Sequence, residues 1–297
     1  MVYAFSWYLN SVCESWDALV EGDYEKVFPL PYRKKAGIYY LYQPPFTQQL
    51  GIFSTGKLTE NIVRNFLEAI PARFKLIEIN LNAFNTNLLP QDSGTYYYEN
   101  QNFELDLISP YETLRRGYSK NLKRNLKNAG KYPQTLVKNL KPEPVISLFR
   151  KHRGKKIGRL RDHEYNQLTR LTYTAMYRGR ATVWGIFDAT NNLDAGAIFI
   201  KSKHKWIFLF SGTSDNARKT SAMPFLIDQF IREHSGSHTT LDFEGSNNKN
   251  LARFYAGFGA TLCTYPQMVR NSLPWYASLP LKGIKKIKEI KYKNQDD

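Results

Sequence analysis

The chain has 297 residues, 42% of them hydrophobic and 14% aromatic, which excludes a mainly disordered polymer and suits one large domain or two of about 150 residues. Its formal net charge of +16 is uneven: residues 110–161 hold 16 Lys/Arg against 2 Asp/Glu, whereas residues 1–109 hold 8 against 12. Two cysteines, Cys13 and Cys263, exclude a disulfide scaffold and a Cys-rich zinc site, and fit a reduced, cytoplasmic protein.

In chain order, Tyr24–Tyr32 reads as a strand interrupted by Pro29 and Pro31, which suits an edge strand or the end of one. Gly37–Tyr42 is rich in β-formers, and Pro44-Pro45 breaks the chain before a further strand at Gln49–Phe53. Thr59–Ile70 reads as a helix with Thr59 as N-cap and Ile62, Phe66, Leu67 and Ile70 on one face. Lys75–Leu81 is a strand, residues 82–94 an Asn-rich loop, and Thr95–Ile108 two strands around Asn100-Gln101-Asn102.

Pro110–Lys131 reads as one helix, its stripe Leu114, Tyr118, Leu122 and Leu126 recurring every four residues and Gly130 ending it. A second helix starts near Pro142, the basic loop Lys151–Arg161 follows, and Asp162 caps a third helix to about Arg178. Ala181–Ala189, Ala195–Lys201 and Lys205–Ser211 read as consecutive antiparallel strands, with turns at Asn191-Asn192 and Lys203-His204. A helix at Ser221–His234, a short strand at Thr239–Phe243, a helix at Asn250–Gly257 and a strand at Ala260–Met268 complete the order β-β-β-α-β-α-β. A shorter version of that order precedes it, so the fold class is α/β, with two units of one design built on mixed, mostly antiparallel sheets flanked by helices. The expected division is 1–109, a basic helical connection 110–178, a second core 179–281 and a basic tail 282–297.

Four constellations carry chemistry. Strand Trp206–Phe210 runs into the polar loop Gly212–Ser221, which opens a helix whose unpaired N–H groups suit an anion. Arg218, Lys219, Thr220 and Ser221 supply charge and hydroxyls there for a pyrophosphate or nucleotide phosphate; an ordinary capped helix is the structural alternative. Asp242 and Glu244 stand two apart, so on a strand they share a side and one of them can take a proton from an attacking amine. The structural alternative is that Glu244 or Ser246 caps the next helix and Asp242 pairs with an Arg. Tyr255 is a proton donor or a packed core aromatic, and Gln48, in the loop Tyr42–Gly51, lines an acceptor groove. The histidines at 152, 163, 204, 234 and 238 have no metal-ligand spacing, so no metal is expected, and neither a nucleophile elbow nor a P-loop occurs.

Three segments together resemble the GNAT-type acyltransferase fold, and more narrowly its FemABX-like branch, in which two GNAT-like subdomains are fused. They are Leu241–Ser246 with Arg253–Ala260, the basic Ser119–Ala129, and Gln43–Gly51. The resemblance covers nearly the whole chain and implies a short leading strand for which Met1 leaves no room. It implies N-acyl transfer, as an acetyltransferase or aminoacyltransferase, from acyl-CoA or aminoacyl-tRNA to an amine, with no covalent enzyme intermediate. Arg218-Lys-Thr-Ser-Ala-Met lacks the glycines of CoA-binding relatives, which suits the FemABX-like branch better. On this reading Glu244 or Asp242 sits near the amine, with Tyr255 as acid. Arg218, Lys219 and Ser221 then hold donor phosphate, and the Lys120/Arg124 face meets tRNA or a nucleotide-linked acceptor. Two other readings stay open: a binding protein that keeps the fold without the chemistry, and a nucleic-acid-binding protein acting through 110–161. No apolar run approaches the ~20 residues of a membrane span; peripheral membrane contact falls to the tail from Lys282.

Overall fold

A computed structural model describes residues 1–91, 93–154, 160–245 and 247–273. Its contacts divide the chain into two compact units: Met1–Val12 with Gln101–Cys263, and Cys13–Asn100 with the segment from Thr264. The boundary expected at 109/110 is drawn instead at Asn100/Gln101, inside a strand, and the first twelve residues join the later part of the chain. The tail 282–297 lies outside the described residues.

The smaller unit contains β1 (Trp16–Glu21), β2 (Lys26–Lys35), β3 (Ile38–Tyr42), β4 (Phe53–Ser54), α2 (Glu60–Glu68) and β5 (Phe74–Asn80). Its sheet order is β1-β2-β3-β5-β12, with β12 (Thr261–Asn271) entering from the far end of the chain and β4 paired to β2. Among these paired strands β3 and β5 run parallel and the other pairs antiparallel. Thr59 caps α2 by accepting from the Ile62 N–H, and Val63, Phe66 and Leu67 form the buried face. The strand expected at Gln49–Phe53 shrinks to β4 and a single bridge from Leu50 to Leu81. Side chains take its backbone groups instead: Asn82 Nδ2 donates to the carbonyls of Leu50 and Ile52 at 2.9 Å, and the Ile52 N–H donates to Asn85 Oδ1 at 3.0 Å. The Asn-rich loop accordingly holds a 3₁₀ turn, Ala83–Leu88.

The larger unit opens with α1 (Ser6–Val12), and resumes inside β6 (Thr95–Asp106) with α3 (Tyr111–Arg116), α4 (Lys120–Ala129), β7 (Thr135–Val137), α5 (Pro142–Phe149) and α6 (Asp162–Tyr177). Then come β8 (Ala181–Phe187), β9 (Leu193–Ser202), β10 (Lys205–Thr213), α7 (Ala217–Thr220), α8 (Ala222–His234), β11 (Thr240–Asp242) and α9 (Lys249–Ala256). The sheet order is β6-β11-β10-β9-β8-β7, and only β10 and β11 are parallel. Both expected turns of the β8-β9-β10 meander are present, with Asn191 and Lys203 in the left-handed region.

Two expected elements differ. Pro110–Lys131 is two helices, because the Ser119 hydroxyl accepts from the Leu122 N–H and starts α4 afresh, while the Ser119 N–H leaves to the Gly257 carbonyl at 2.9 Å. Thr95–Asp106 is one strand, because Asn102 is 1% exposed and sits inside the sheet, so no turn forms around it. The N-cap expected at Asp162 is Arg161, whose N–H donates to Glu164 Oε2 at 2.6 Å.

Helices cover both faces of this sheet. Against one face α8 buries Leu226, Ile227, Phe230 and Ile231, with Phe230 stacked on Phe199 at 3.7 Å between ring centres. Each such side chain stabilises the fold by about 1.5–3 kcal/mol. Against the other face α5 lies so close that a Cβ on Gly212 would stand 2.6 Å from the Val145 carbonyl oxygen. The sheet and its two helical layers fix the mouth of β10, where the candidate site lies.

Candidate active site

The parallel register of β10 and β11 runs only from Lys205 opposite Thr240 to Ile207 opposite Asp242. Beyond it β10 continues to Thr213, whereas the other chain leaves its strand: the Phe243 N–H bonds the Phe103 carbonyl, and Glu244 and Gly245 both have positive φ. Gly245 is required there, since a Cβ would meet the Gln101 carbonyl oxygen at 2.2 Å. A bulge between Phe208 and Phe210 bends β10 at the same level. The two strands thus stop pairing at their carboxyl ends, the end at which open α/β sheets hold ligands.

A cavity of about 570 Å³ opens where β10 enters α7 and α8. Arg218, Ser221 and Met223 line it from the loop and the first turn of α8, Asn125 from α4, and His152 and Arg153 from a π-helical turn, Arg150–Gly154. The loop is held from behind. Thr220 donates its hydroxyl to buried Asp194 at 2.5 Å, and Asn128 Nδ2 donates to the Lys219 carbonyl at 2.7 Å and to Ser221 Oγ at 3.1 Å. Ser221 has φ 55° and lines the cavity, its Oγ accepting from Asn128. Arg218 and Ser221 therefore face the cavity, while Thr220 is structural and Lys219 is exposed outside the lining. The cavity carries the Arg153 and Arg218 guanidinium groups, a hydroxyl and the N-terminus of a 13-residue helix, donors that suit an anion, together with one carboxylate, Asp215, which stands beside His152.

Asp242 and Glu244 do not share a face, contrary to the strand expectation, because β11 ends at Asp242 and the left-handed Glu244 turns its side chain elsewhere. Asp242 is fully buried and accepts from the Glu244 N–H at 2.8 Å and from Lys205 Nζ at 3.2 Å; Lys205 also donates to Glu104. Its partner is thus a lysine, not an arginine. Burial alone depresses the Lys205 ammonium, but the charges of Asp242 and Glu104 outweigh that and raise it. Glu244 accepts a hydrogen bond from the Tyr3 hydroxyl, and burial pushes its carboxyl well above the usual range. Neither Glu244 nor the undescribed Ser246 is assigned the next cap: Asn248 accepts from the N–H groups of Asn250 and Leu251 and starts α9.

Tyr255 packs in the core, stacked on Phe243 at 4.9 Å between ring centres. Burial pushes its hydroxyl up to about 12, with Arg153 opposing and Glu244 reinforcing that shift. The phenol therefore lies within electrostatic reach of both the cavity wall and the carboxyl. Gln48 belongs to the smaller unit, where it is 9% exposed and its amide oxygen accepts from Gln49 at 2.7 Å. Lys120 and Arg124 lie exposed on α4 and line no part of this cavity.

Sequence reasoning missed His152, Arg153, Asp215 and Tyr3. His152 Nδ1 stands 3.1 Å from Asp215 Oδ2, bridging the π-turn to the end of β10. The basic run at 151–161 marked that stretch, but only the π-turn aims it. Tyr3 reaches Glu244 across 241 positions of sequence, and no local pattern foreshadows that contact.

No family model matches the chain, and no curated protein matches it in sequence. Solved structures do match in fold. FemX superposes with a TM-score of 0.60 at 13% identity, covering 85% of this chain and 88% of its own. The C-terminal domain of a lysylphosphatidylglycerol synthetase from Agrobacterium fabrum matches at 0.58 and 13% identity, over 93% of this chain and 89% of that one. L-PGS from Bacillus licheniformis matches at 0.57 and 11% identity, with the same coverage. The fold is FemABX/GNAT-like.

Proposed function

We propose that the protein transfers an acyl or aminoacyl group from a phosphate-bearing donor, an acyl-CoA thioester or an aminoacyl-tRNA ester, to an amine. The observation that carries this reading is the cation-lined cavity at the end where β10 and β11 stop pairing. FemX and the lysylphosphatidylglycerol synthetase domain share the surrounding fold, and the second is named for joining lysine to a phospholipid. Donor phosphate binds Arg153, Arg218, Ser221 and the first turn of α8. The donor carbonyl then lies between the ends of β10 and β11, and the acceptor amine attacks it. A C–N bond forms, the amine proton passes to Glu244, and the C–S or C–O bond breaks. Burial raises the Glu244 carboxyl, so it serves as a base only once ionised; the ionised form is then a stronger base than an exposed carboxylate, and turnover rises with pH as Glu244 loses its proton. Tyr255, whose hydroxyl stays protonated at neutral pH, supplies the proton to the departing thiolate or alkoxide.

The test offers acyl-CoA thioesters and aminoacyl-tRNA in turn with primary amines, following thiol release or label transfer. Turnover with one donor class is expected, and Glu244→Gln lowers kcat by about 10² or more with the fold intact. Unchanged turnover in Glu244→Gln removes that residue from the mechanism. Failure of both donors to react or bind favours a binding protein that keeps the fold alone.

A further inference from the structure

A second concavity, of about 650 Å³, shares no lining residue with the first. It lies among α3, α4 and α8, on the side of α4 that carries Lys123 and Lys127 rather than Asn125. Arg115 and Arg116 from α3 and Arg232 from α8 join those lysines, so five cations surround one groove. None of the five makes an ion pair among the described residues. Two carboxyls also line it. Glu112 is exposed, while Asp228 is 4% exposed, accepts from the Tyr111 hydroxyl at 2.9 Å, and is pushed up by burial against the opposing effect of Arg232 and Arg115. Tyr111 itself lines the groove, with the Arg232 guanidinium 4.3 Å from its ring centre.

We infer that this groove binds the phosphodiester backbone of a single-stranded nucleic acid. Arg116 donates to Thr113 Oγ1 at 3.0 Å, Lys123 Nζ to the Arg116 carbonyl at 2.9 Å and Arg232 to the Tyr111 hydroxyl at 3.2 Å, all neutral acceptors that leave the positive charges uncompensated. Cations without carboxylate partners along a concave wall follow a chain of phosphates, and guanidinium forks match phosphate oxygens in pairs. An aromatic ring set among cations is the combination that single-strand sites use. A bilayer is the weaker match. It is flat, and none of the exposed large apolar side chains, such as Phe5, Phe84, Tyr177 or Leu262, belongs to the groove for insertion among acyl chains. The inference goes beyond the transfer reaction and rests on binding alone.

The experiment titrates a short fluorescein-labelled single-stranded RNA, its DNA counterpart and vesicles of anionic phospholipid into the full chain at rising salt. With five phosphate contacts, strand affinity falls about 100-fold between 50 and 200 mM salt. Arg115→Gln with Arg116→Gln reduces that fall to about 20-fold, while Lys120→Gln with Arg124→Gln, an equal charge loss on the same segment outside the groove, leaves it near 100-fold. Circular dichroism checks that both variants fold. RNA and DNA binding alike supports the shared backbone chemistry, and preference for one names the source. Equal losses in both double variants, a salt response below about tenfold, or vesicle binding without strand binding overturns the inference.

Discussion

Asp242 and Glu244 are near neighbours with separate work. Asp242 anchors a buried pair with Lys205, so Lys205→Met strands a carboxyl that is fully buried. That variant is expected to lose about 3–5 kcal/mol of stability by urea denaturation; a loss under about 1 kcal/mol, the range of surface pairs, contradicts the structural role. Glu244 behaves differently. Its folded carboxyl is raised above the ordinary 4.5, so the native state holds its proton to higher pH than the unfolded chain does. The stability this provides is complete below pH 4.5 and is lost as pH rises through the folded value. Buried Asp228, raised from 3.8, adds the same sign. Glu244→Gln should therefore flatten the decline of unfolding free energy as pH rises above 4.5; an unchanged slope shows that Glu244 does not hold its proton. Both carboxyls were legible as a pair from their spacing. Their division of labour was not, because it depends on Lys205 and Tyr3, which only the folded sheet brings to them.

At the scale of elements, the mouth of the site depends on one turn. Gly245 lets the chain leave β11 at a positive φ against the Gln101 carbonyl, so Gly245→Ala combines strain with a backbone clash. It is expected to cost more than about 2 kcal/mol, and a variant with unaltered stability contradicts the tight turn. Ser119→Ala removes the cap that splits the basic segment into α3 and α4, at an expected cost of about 1 kcal/mol. The β8-β9-β10 meander, α8, α9 and the capped α2 were readable from periodicity, turn residues and caps. What escaped were elements without a pattern of their own. The break at Ser119 lay inside an unbroken apolar stripe, β7 has three residues, and the π-turn that carries His152 and Arg153 has no sequence signature. The loop at Leu50–Ile52 read as strand because its apolar residues do become buried; asparagine side chains, not a neighbouring strand, satisfy its backbone.

Across the whole chain the excess of +14 in residues 110–161 is divided between two concavities rather than gathered at one. His152 and Arg153 reach the cavity at the end of β10, and Arg115, Arg116, Lys123 and Lys127 reach the groove beside α8. The fold class was legible in composition and element order, whereas the partition of charge between two concavities requires the packing of α4 against α8. No described helix is long and apolar enough to cross a membrane. The transfer reading is tested most directly by equilibrium titration of labelled acyl-CoA and labelled aminoacyl-tRNA into the wild type and into Arg218→Ala. One donor class is expected to bind, with Arg218→Ala raising its Kd by about tenfold or more, the worth of a charged hydrogen bond. Binding of neither donor, or equal binding by Arg218→Ala, would contradict the assignment of the cavity as the donor site.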